Sequence, residues 1–512
     1  MRRPWRLSLA VSVILLSSGC YPYPNKAAID PWSYAPVSTS SVWTPPASEK
    51  PMELKPESPD MDEQDDPYSL AEIIDIALRN NQQTKITWAQ ARSAAATYAQ
   101  TQSPFFPSLQ GTFAYLRARE PSFSTSSPFG NFTPSGSTNL SNVTVEDVYY
   151  SLWGPQFTLS YLIYDFGTAR ATSEAARQAL YSSDWRHNNA ISVVIQVIMN
   201  DFYSYLYQEQ LLNADEANIR TAELTLNAAL TGFDSGVRDV SDVLQSKTQL
   251  LQNQTTWAAQ KQNVETAYTT LLTDMGIPAT KQFKTQTLPS KLPATDILPP
   301  VDTLVTIALQ NRPDLMAMEA TVRSNKQNLI AAQRQFLPQF NYNFQIGKDY
   351  YNDGLSDKYN FMSTFSVSMP LFKGFYYRNA IKIAAANLKV SEEQLKQTEL
   401  DVIQQVATYH YSVKVAFETV QFAEGFLSAA QEQYEVALAQ YKQGTNTILD
   451  VVSAQSSLAD ARAQLISGLD SWYTSLANLS YATGLLSPTK LTPFAHLEEV
   501  KIAQTEGIQN ER

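Results

Sequence analysis

The chain has 512 residues, room for several domains, and a net charge of −11 with only 17% charged residues. That balance argues against nucleic acid, whose binders present a basic patch. The single cysteine excludes an internal disulfide framework and any cysteine-based zinc site.

Met1 to Cys20 opens with Arg2, Arg3 and Arg6, runs through apolar Leu7 to Leu16 and closes on Ser17-Ser18-Gly19-Cys20, the layout of a secretory signal. The apolar part is too short to span a bilayer as a helix. Small residues directly before a cysteine resemble a bacterial lipobox, with one departure, Ser17 where Leu is usual. The resemblance implies removal of residues 1–19 and a lipidated N-terminal Cys20; the alternative is an ordinary signal peptide followed by a free thiol. Tyr21 stands where, by the same resemblance, an Asp would retain a lipoprotein at the inner membrane, which favours the outer one. Residues 20–68 are rich in Pro, Ser and Tyr and end in the acidic run Asp60 to Asp66, so they read as an extended tether. At about 3.3 Å per residue it could reach well over roughly 100 Å.

From Ser69 the spacing of Leu70, Ile73, Ile74, Ala77 and Leu78 predicts a helix running toward Gln102, where Pro104 and Pro107 end it. Four stretches then show the period of two that marks strands. Leu109, Phe113 and Tyr115 alternate with polar or small residues, as do Phe157, Leu159, Tyr161 and Ile163 after a Ser/Gly-rich loop, Ser122 to Ser141. Phe340, Tyr342, Phe344 and Ile346 interleave with Asn341, Asn343 and Gln345, and Phe365, Val367, Met369 and Leu371 continue the pattern within Phe361 to Phe372. Aromatic residues on one face and Asn, Gln, Ser or Thr on the other suit a water-filled transmembrane barrel. Four strands cannot close one, since the smallest have about eight. Either the sheet keeps open edges, a liability, or several copies share a barrel.

The chain also repeats itself. LAEIIDIALRN at Leu70 corresponds to VDTLVTIALQN at Val301, a shift of 231 positions, and Phe233, Gly236, Asp242 and Gly276 fall on Tyr441, Gly444, Asp450 and Gly484, a shift of 208. Each half reads helix, strand, strand, helix, helix. The long helices carry heptads: Val406, Val413, Val420, Leu427, Tyr434 and Tyr441 in one half, Ile198, Tyr205, Leu212, Ile219, Leu226 and Phe233 in the other, with Ala416, Ala423, Ala430 and Ala437 interleaved. A strict heptad implies left-handed coiled-coil packing. A continuous helix from Thr168 to Phe233 would be roughly 100 Å long, more than any membrane is thick. Such helices stand in water.

These features together resemble the TolC-type outer-membrane efflux proteins, in their lipidated branch, over nearly everything from Ser69 to Leu486. The resemblance is carried by the duplicated element order, by FFPSL at Phe105 and FLPQF at Phe336, and by YDFG and LFKG entering the long helices. Its most specific carriers are the paired turns FDSGVRDVSDVLQSKTQL from Phe233 and YKQGTNTILDVVSAQSSL from Tyr441. It implies a mixed α and β membrane protein: a homotrimer whose four strands per chain make a 12-stranded outer-membrane β-barrel, continued by a 12-helix periplasmic α-barrel. It implies a first repeat at 69–276, an equatorial linker at 277–300, a second repeat at 301–486 and a C-terminal equatorial segment at 487–512. It further implies docking of the helical tips, Gly236, Val237, Gly444 and Thr445, to a periplasmic adaptor that serves an inner-membrane transporter.

Family members shut the tunnel with a network of Tyr, Arg and Asp at the two turns. Carried over position by position, the Tyr is Tyr441, one ring Asp is Asp450 and the Asp of the first turn is Asp242. Asn446 stands where some members have the Arg, and Ser453 where they have a second ring Asp; Arg238, which the repeat sets opposite Asn446, is the substitute. Three Asp450 carboxylates about a narrow axis would repel one another and attract cations. Asp242 and Asp450 also suit the first turns of their helices, favoured by the macrodipole, and Gly236 and Gly444 relieve strain at the turns.

No catalytic or metal-binding constellation emerges. His187, His410 and His496 lie in unrelated contexts, with no HExxH, phosphate loop or nucleophile elbow, so neither an enzyme nor a cofactor beyond the lipid on Cys20 is expected. Two other readings stay open: an outer-membrane channel for type I protein secretion, and a lipid-anchored periplasmic coiled-coil scaffold without a pore. The scaffold leaves the four strands unexplained.

Overall fold

The structure, a computed structural model, describes residues 66–125, 143–287, 298–351 and 358–486. The leader, Cys20, nearly all of the tether, most of the loop predicted at Ser122 to Ser141 and the segment 487–512 lie outside those residues.

Helix α1 (Leu70–Asn80) opens on a capping box: the Ser69 hydroxyl accepts from the Glu72 amide and the Glu72 carboxylate accepts from the Ser69 amide at 2.8 Å. The sequence predicts one helix here; the structure has two, α1 and α2 (Gln82–Thr101). Asn81 makes the break. Its extended backbone ends α1, its side-chain oxygen caps α2 by accepting from the Gln83 amide at 2.7 Å, and its amide nitrogen donates to the Asp274 carbonyl at 2.6 Å. The second half breaks at the same place by other means, between α5 (Val301–Asn311) and α6 (Pro313–Arg334). There Pro313 takes the first helical position, and buried Arg312 donates to Asp314 at 2.6 Å and to Gln405 at 2.7 Å. A Cβ on Gly276 would lie 2.7 Å from the Asn80 carbonyl oxygen and one on Gly484 3.0 Å from the Asn311 carbonyl carbon. Glycine at both, with positive φ, lets each returning chain cross its break at close range.

The four strands β1 (Ser108–Thr125), β2 (Val143–Tyr164), β3 (Gln339–Tyr351) and β4 (Lys358–Ser368) form one antiparallel sheet in the order β1-β2-β3-β4. Cross-strand register places Leu109, Leu159 and Phe344 in one row and Tyr161, Tyr342 and Phe365 in another. The apolar and polar sets foreseen by alternation therefore do occupy opposite faces. Phe361 and Phe365 are 76% and 74% exposed, so none of the described residues covers them on the apolar face. Two boundaries differ from the sequence reading. Ser122 to Thr125 belong to β1, so the first hairpin gains strand length as well as loop. β4 stops at Ser368, whose partner Gln339 is already the first residue of β3, and Pro370 has no amide to extend the ladder.

The long helices repeat to the residue: α3 (Thr168–Asp234) and α7 (Tyr376–Lys442) have 67 residues each, roughly 100 Å; α4 (Val240–Asp274) and α8 (Ile448–Ala482) have 35 each. α3 packs on α4, α7 on α8, and α3 meets α8 between the two hairpins, while α6 lies against both α3 and α7. Among the described residues no helix is long and apolar enough to cross a membrane. Among the described residues three clusters form the core: Ile73, Ile195, Ile198, Leu271 and Met275 around α1; Val402, Val406, Val413, Val420 and Leu479 around α5; and Ala229, Ala430, Tyr434, Tyr441, Val451 and Leu458 near the far turns. The heptad of α7 is buried as its spacing predicts, save Leu427, which is half-buried. That of α3 is not throughout: Leu212, Ile219 and Leu226 are half-buried, while Asn218, Thr221, Ala222, Thr225 and Ala229 face inward. These small and polar residues receive the Tyr434 hydroxyl, which donates to the Thr221 carbonyl at 3.2 Å, and Arg462, which donates to Asn218 at 2.8 Å.

Candidate functional site

The two interhelical turns, separated from the sheet by roughly 100 Å of helix, share one geometry. Each long helix ends with a glycine in the left-handed region, Gly236 at φ 74° and Gly444 at φ 85°. The Gly236 amide donates to the Phe233 carbonyl and the Val237 amide to that of Gly232; Gly444 and Thr445 repeat this onto Tyr441 and Gln440. This is the αL termination that glycine permits at least cost. No heavy atom lies within 4 Å of where a Cβ on either glycine would be, and Val237 and Thr445 are exposed beside them. The four tip residues therefore form a bare surface.

The next helices start differently. Asp239 caps α4, accepting from the Ser241 amide at 3.2 Å, which leaves Asp242 in the first turn with a free side chain. Its carboxylate accepts from the Tyr441 hydroxyl at 2.9 Å. Burial, reinforced by the hydrogen bond and charge of Asp242, pushes the Tyr441 phenol up to about 12, with Arg238 acting the other way. Asp450 is occupied locally instead. It forms a capping box with Thr447, whose hydroxyl donates to it at 2.5 Å, and these bonds hold its carboxyl below the usual range although it is fully exposed. Both aspartates thus lie in the first turns of their helices as foreseen, Asp450 bonded into its own cap and Asp242 reaching the other hairpin.

Arg238 joins the two turns. Its guanidinium donates to the carbonyls of Tyr441 at 2.6 Å and Asn446 at 2.9 Å and lies 4.1 Å over the Tyr441 ring. Gly232 makes room for it: a Cβ there would sit 2.6 Å from Arg238 Cγ. At the equivalent place the second repeat has Gln440, which accepts from Asn446 at 3.4 Å. A cleft of about 490 Å³ opens beside this contact, lined by Leu224, Ala228, Val237, Arg238, Tyr441 and Lys442. Sequence reasoning brought Tyr441, Asp242 and Arg238 to one place and the structure packs them together. It missed Thr447, although Thr447 followed three residues on by Asp450 is a legible capping pattern, and it missed Gly232, for which only the repeat offered a hint.

A family model described as "Outer membrane efflux protein" matches residues 73–276 and 304–485. The chain belongs to the outer membrane efflux protein family. The two matched stretches of this efflux-protein family coincide with the two repeats. Among relatives, the toluene efflux pump outer membrane protein TtgC of Pseudomonas putida is 22% identical over 81% of this chain and 83% of its own length. Two solved structures share the fold: the CmeC outer membrane channel of Campylobacter jejuni, at 19% identity and a TM-score of 0.68 over 81% of this chain and 85% of that one, and the outer membrane protein VceC of Vibrio cholerae, at 18% and 0.67 over 81% and 96%. Among the described residues of this family member, no three metal-ligating side chains come together.

Proposed function

We propose that three copies of this chain form the outer-membrane channel-tunnel of a tripartite efflux system. Substrate enters from an inner-membrane transporter through a periplasmic adaptor and passes without chemistry. The observation that carries the reading is the sheet: four strands with apolar residues on one face, polar ones on the other and unpaired edges at β1 and β4. Three such sheets supply twelve strands and no edge. Exposed apolar side chains along the helices, Leu244 and Leu251 on α4 and Val390, Leu400, Val415 and Phe422 on α7, support burial against further copies. TtgC is by name the outer membrane protein of a toluene efflux pump, and small-molecule export is the service proposed here. Cys20, once processed and lipidated, adds a membrane anchor.

At the tips, Gly236, Val237, Gly444 and Thr445 receive the adaptor. Behind them Tyr441, Asp242 and Arg238 hold the two hairpins of each subunit together and so keep the aperture narrow, while Asp450 carboxylates attract cations to its rim. The deciding experiment is the mass of the non-denatured particle in detergent, corrected for bound detergent. A trimer is expected. A monomer would leave two open edges per sheet and return the chain to a pore-free, lipid-anchored scaffold.

A further inference from the structure

The outward, apolar face of the sheet changes character at the end farthest from the helices. From Phe340 to Tyr350 the same face of β3 climbs roughly 25 Å, at about 3.3 Å per residue and a tilt near 40°, the height of the apolar band of an outer-membrane barrel. Below the top of that climb the face is mostly Phe, Tyr, Leu, Ile and Val, with Gly111, Pro155 and Ser363 among them; at the top stand Trp153, Lys348, Tyr350 and Tyr359, with Arg117 beyond them. Aromatic belts are common at this level, but this one has a built centre. Trp153 and Tyr350 are register partners whose rings lie 6.1 Å apart and within 14° of parallel. Lys348, register partner of Tyr359, holds its Nζ 4.8 Å from the centre of the Tyr350 ring and 5.3 Å from that of Tyr359. Among the residues of this face whose side chains are described, the cations are Lys348 and Arg117 and none is a carboxylate.

We propose that Trp153, Tyr350, Lys348 and Tyr359, with Arg117 at their rim, bind the headgroup of a phosphorylated glycolipid in the outer leaflet of the membrane. The inference rests on reading the sheet as part of an outer-membrane barrel. A cation on a lipid-facing strand is costly unless it reaches the headgroup layer and an anion there. Phosphate supplies that anion, and an ammonium held between two rings is aimed rather than left to wander. The stacked Trp153 and Tyr350 rings form an aromatic ledge beside it, and the C–H face of a pyranose ring stacks on such a ledge. A glycerophospholipid matches the charge but offers the ledge nothing to stack. Charge and ledge together select a phosphorylated sugar.

The test uses full-length protein in phosphatidylcholine nanodiscs, with bound lipid counted by native mass spectrometry. The probes are bisphosphorylated lipid A, the same lipid stripped of phosphate, and phosphatidylglycerol. Wild type should retain lipid A at least about tenfold better than either other lipid, and Lys348→Gln or Trp153→Ala should each lose about that factor, as expected for one charge-assisted contact or one stacking surface. Equal retention of phosphatidylglycerol or of the dephosphorylated lipid by wild type overturns the site, as does wild-type retention by Lys348→Gln. Conductance of the same wild-type preparation in planar phosphatidylcholine bilayers separates the two levels of the reading. Protein that conducts but binds these lipids indiscriminately overturns the lipid site alone; protein that forms no pore overturns the barrel, and the site with it.

Discussion

Removing Arg238 tests whether the contact between the two turns holds the aperture shut. Arg238→Ala deletes two charge-assisted hydrogen bonds, to the carbonyls of Tyr441 and Asn446, and the stacking on the Tyr441 ring. Hydrogen bonds to a charged group contribute about 1.5–3 kcal/mol each. The guanidinium is half-buried, and water reaches both carbonyls once it is gone, so about 2 kcal/mol for the pair is the fitting scale. Stacking adds about 0.5–1 kcal/mol. At about 1.4 kcal/mol per factor of ten, the sum favours the parted state roughly 60- to 140-fold per subunit. Tyr441→Phe keeps the ring under Arg238 and loses only the bond to Asp242, about 1.5 kcal/mol and roughly tenfold. Single-channel recordings in planar bilayers should therefore rank Arg238→Ala above Tyr441→Phe above wild type in time spent at the higher conductance. Arg238→Ala with wild-type conductance, or a reversed rank, would refute the assignment of the closed state to this contact.

Asp450→Ala should weaken the block of channel current by divalent cations added on the periplasmic side, and an unchanged block would remove the rim carboxylates from the account. Because the Thr447 hydroxyl and amide favour the ionised form, the wild-type block should persist to lower pH than that of an ordinary exposed carboxylate. Gly236→Leu or Gly444→Leu leaves the core untouched, since nothing lies near either Cβ position, but places a bulky side chain on the tip at a strain cost of about 1–2 kcal/mol. Either variant should reach the outer membrane folded and fail to restore drug resistance to a strain lacking its own channel; normal resistance would argue against docking there. Asp470, on α8 where it meets α3, has its carboxyl pushed up to about 6 by burial. A folded-state value above the unfolded one means the native chain binds the extra proton, so the contribution of Asp470 to stability is most favourable below about pH 4, falls as pH rises toward 6 and stays reduced above. Asp470→Asn should flatten that slope and raise the melting temperature at pH 7.5, by about 1–2 kcal/mol of stability once partial exposure is discounted; an unchanged pH profile would clear Asp470 of the effect.

Periodicity made the sheet legible, because a two-residue alternation survives wherever one face meets lipid and the other water. It also made the α7 seam legible. On α3 it misled below Tyr205, since there the helix serves two neighbours, α4 and α8, and its most buried positions are the small and polar Asn218, Thr221 and Thr225 rather than the heptad leucines. The break at Asn81 carried no proline, and the apolar spacing runs on from α1 into α2, so nothing local announced it. Its cause is an amide that caps one helix while bonding to Asp274, far along the chain. Arg238 was reachable only through the repeat, which lined it up with Asn446; that the pair are donor and acceptor in one contact is tertiary information. Lys348 escaped notice because the alternation was followed only to Ile346, where the apolar letters stop.

The two bare sheet edges set an order of events in the life of each chain. The helical hairpins can close on their own, since α3 and α4 are neighbours in sequence and so are α7 and α8. The ladder groups of β1 and β4 cannot be satisfied until other molecules arrive. Every newly exported copy therefore passes through an interval as a rigid pair of rods carrying an unfinished sheet, adhesive along both sides. The rods narrow the choice of partner, because only a chain whose helices lie alongside can bring the matching edge into register. Where assembly goes wrong, the product should be helix-rich aggregates joined through their strands, with the damage confined to the one part of the fold that a single chain leaves incomplete.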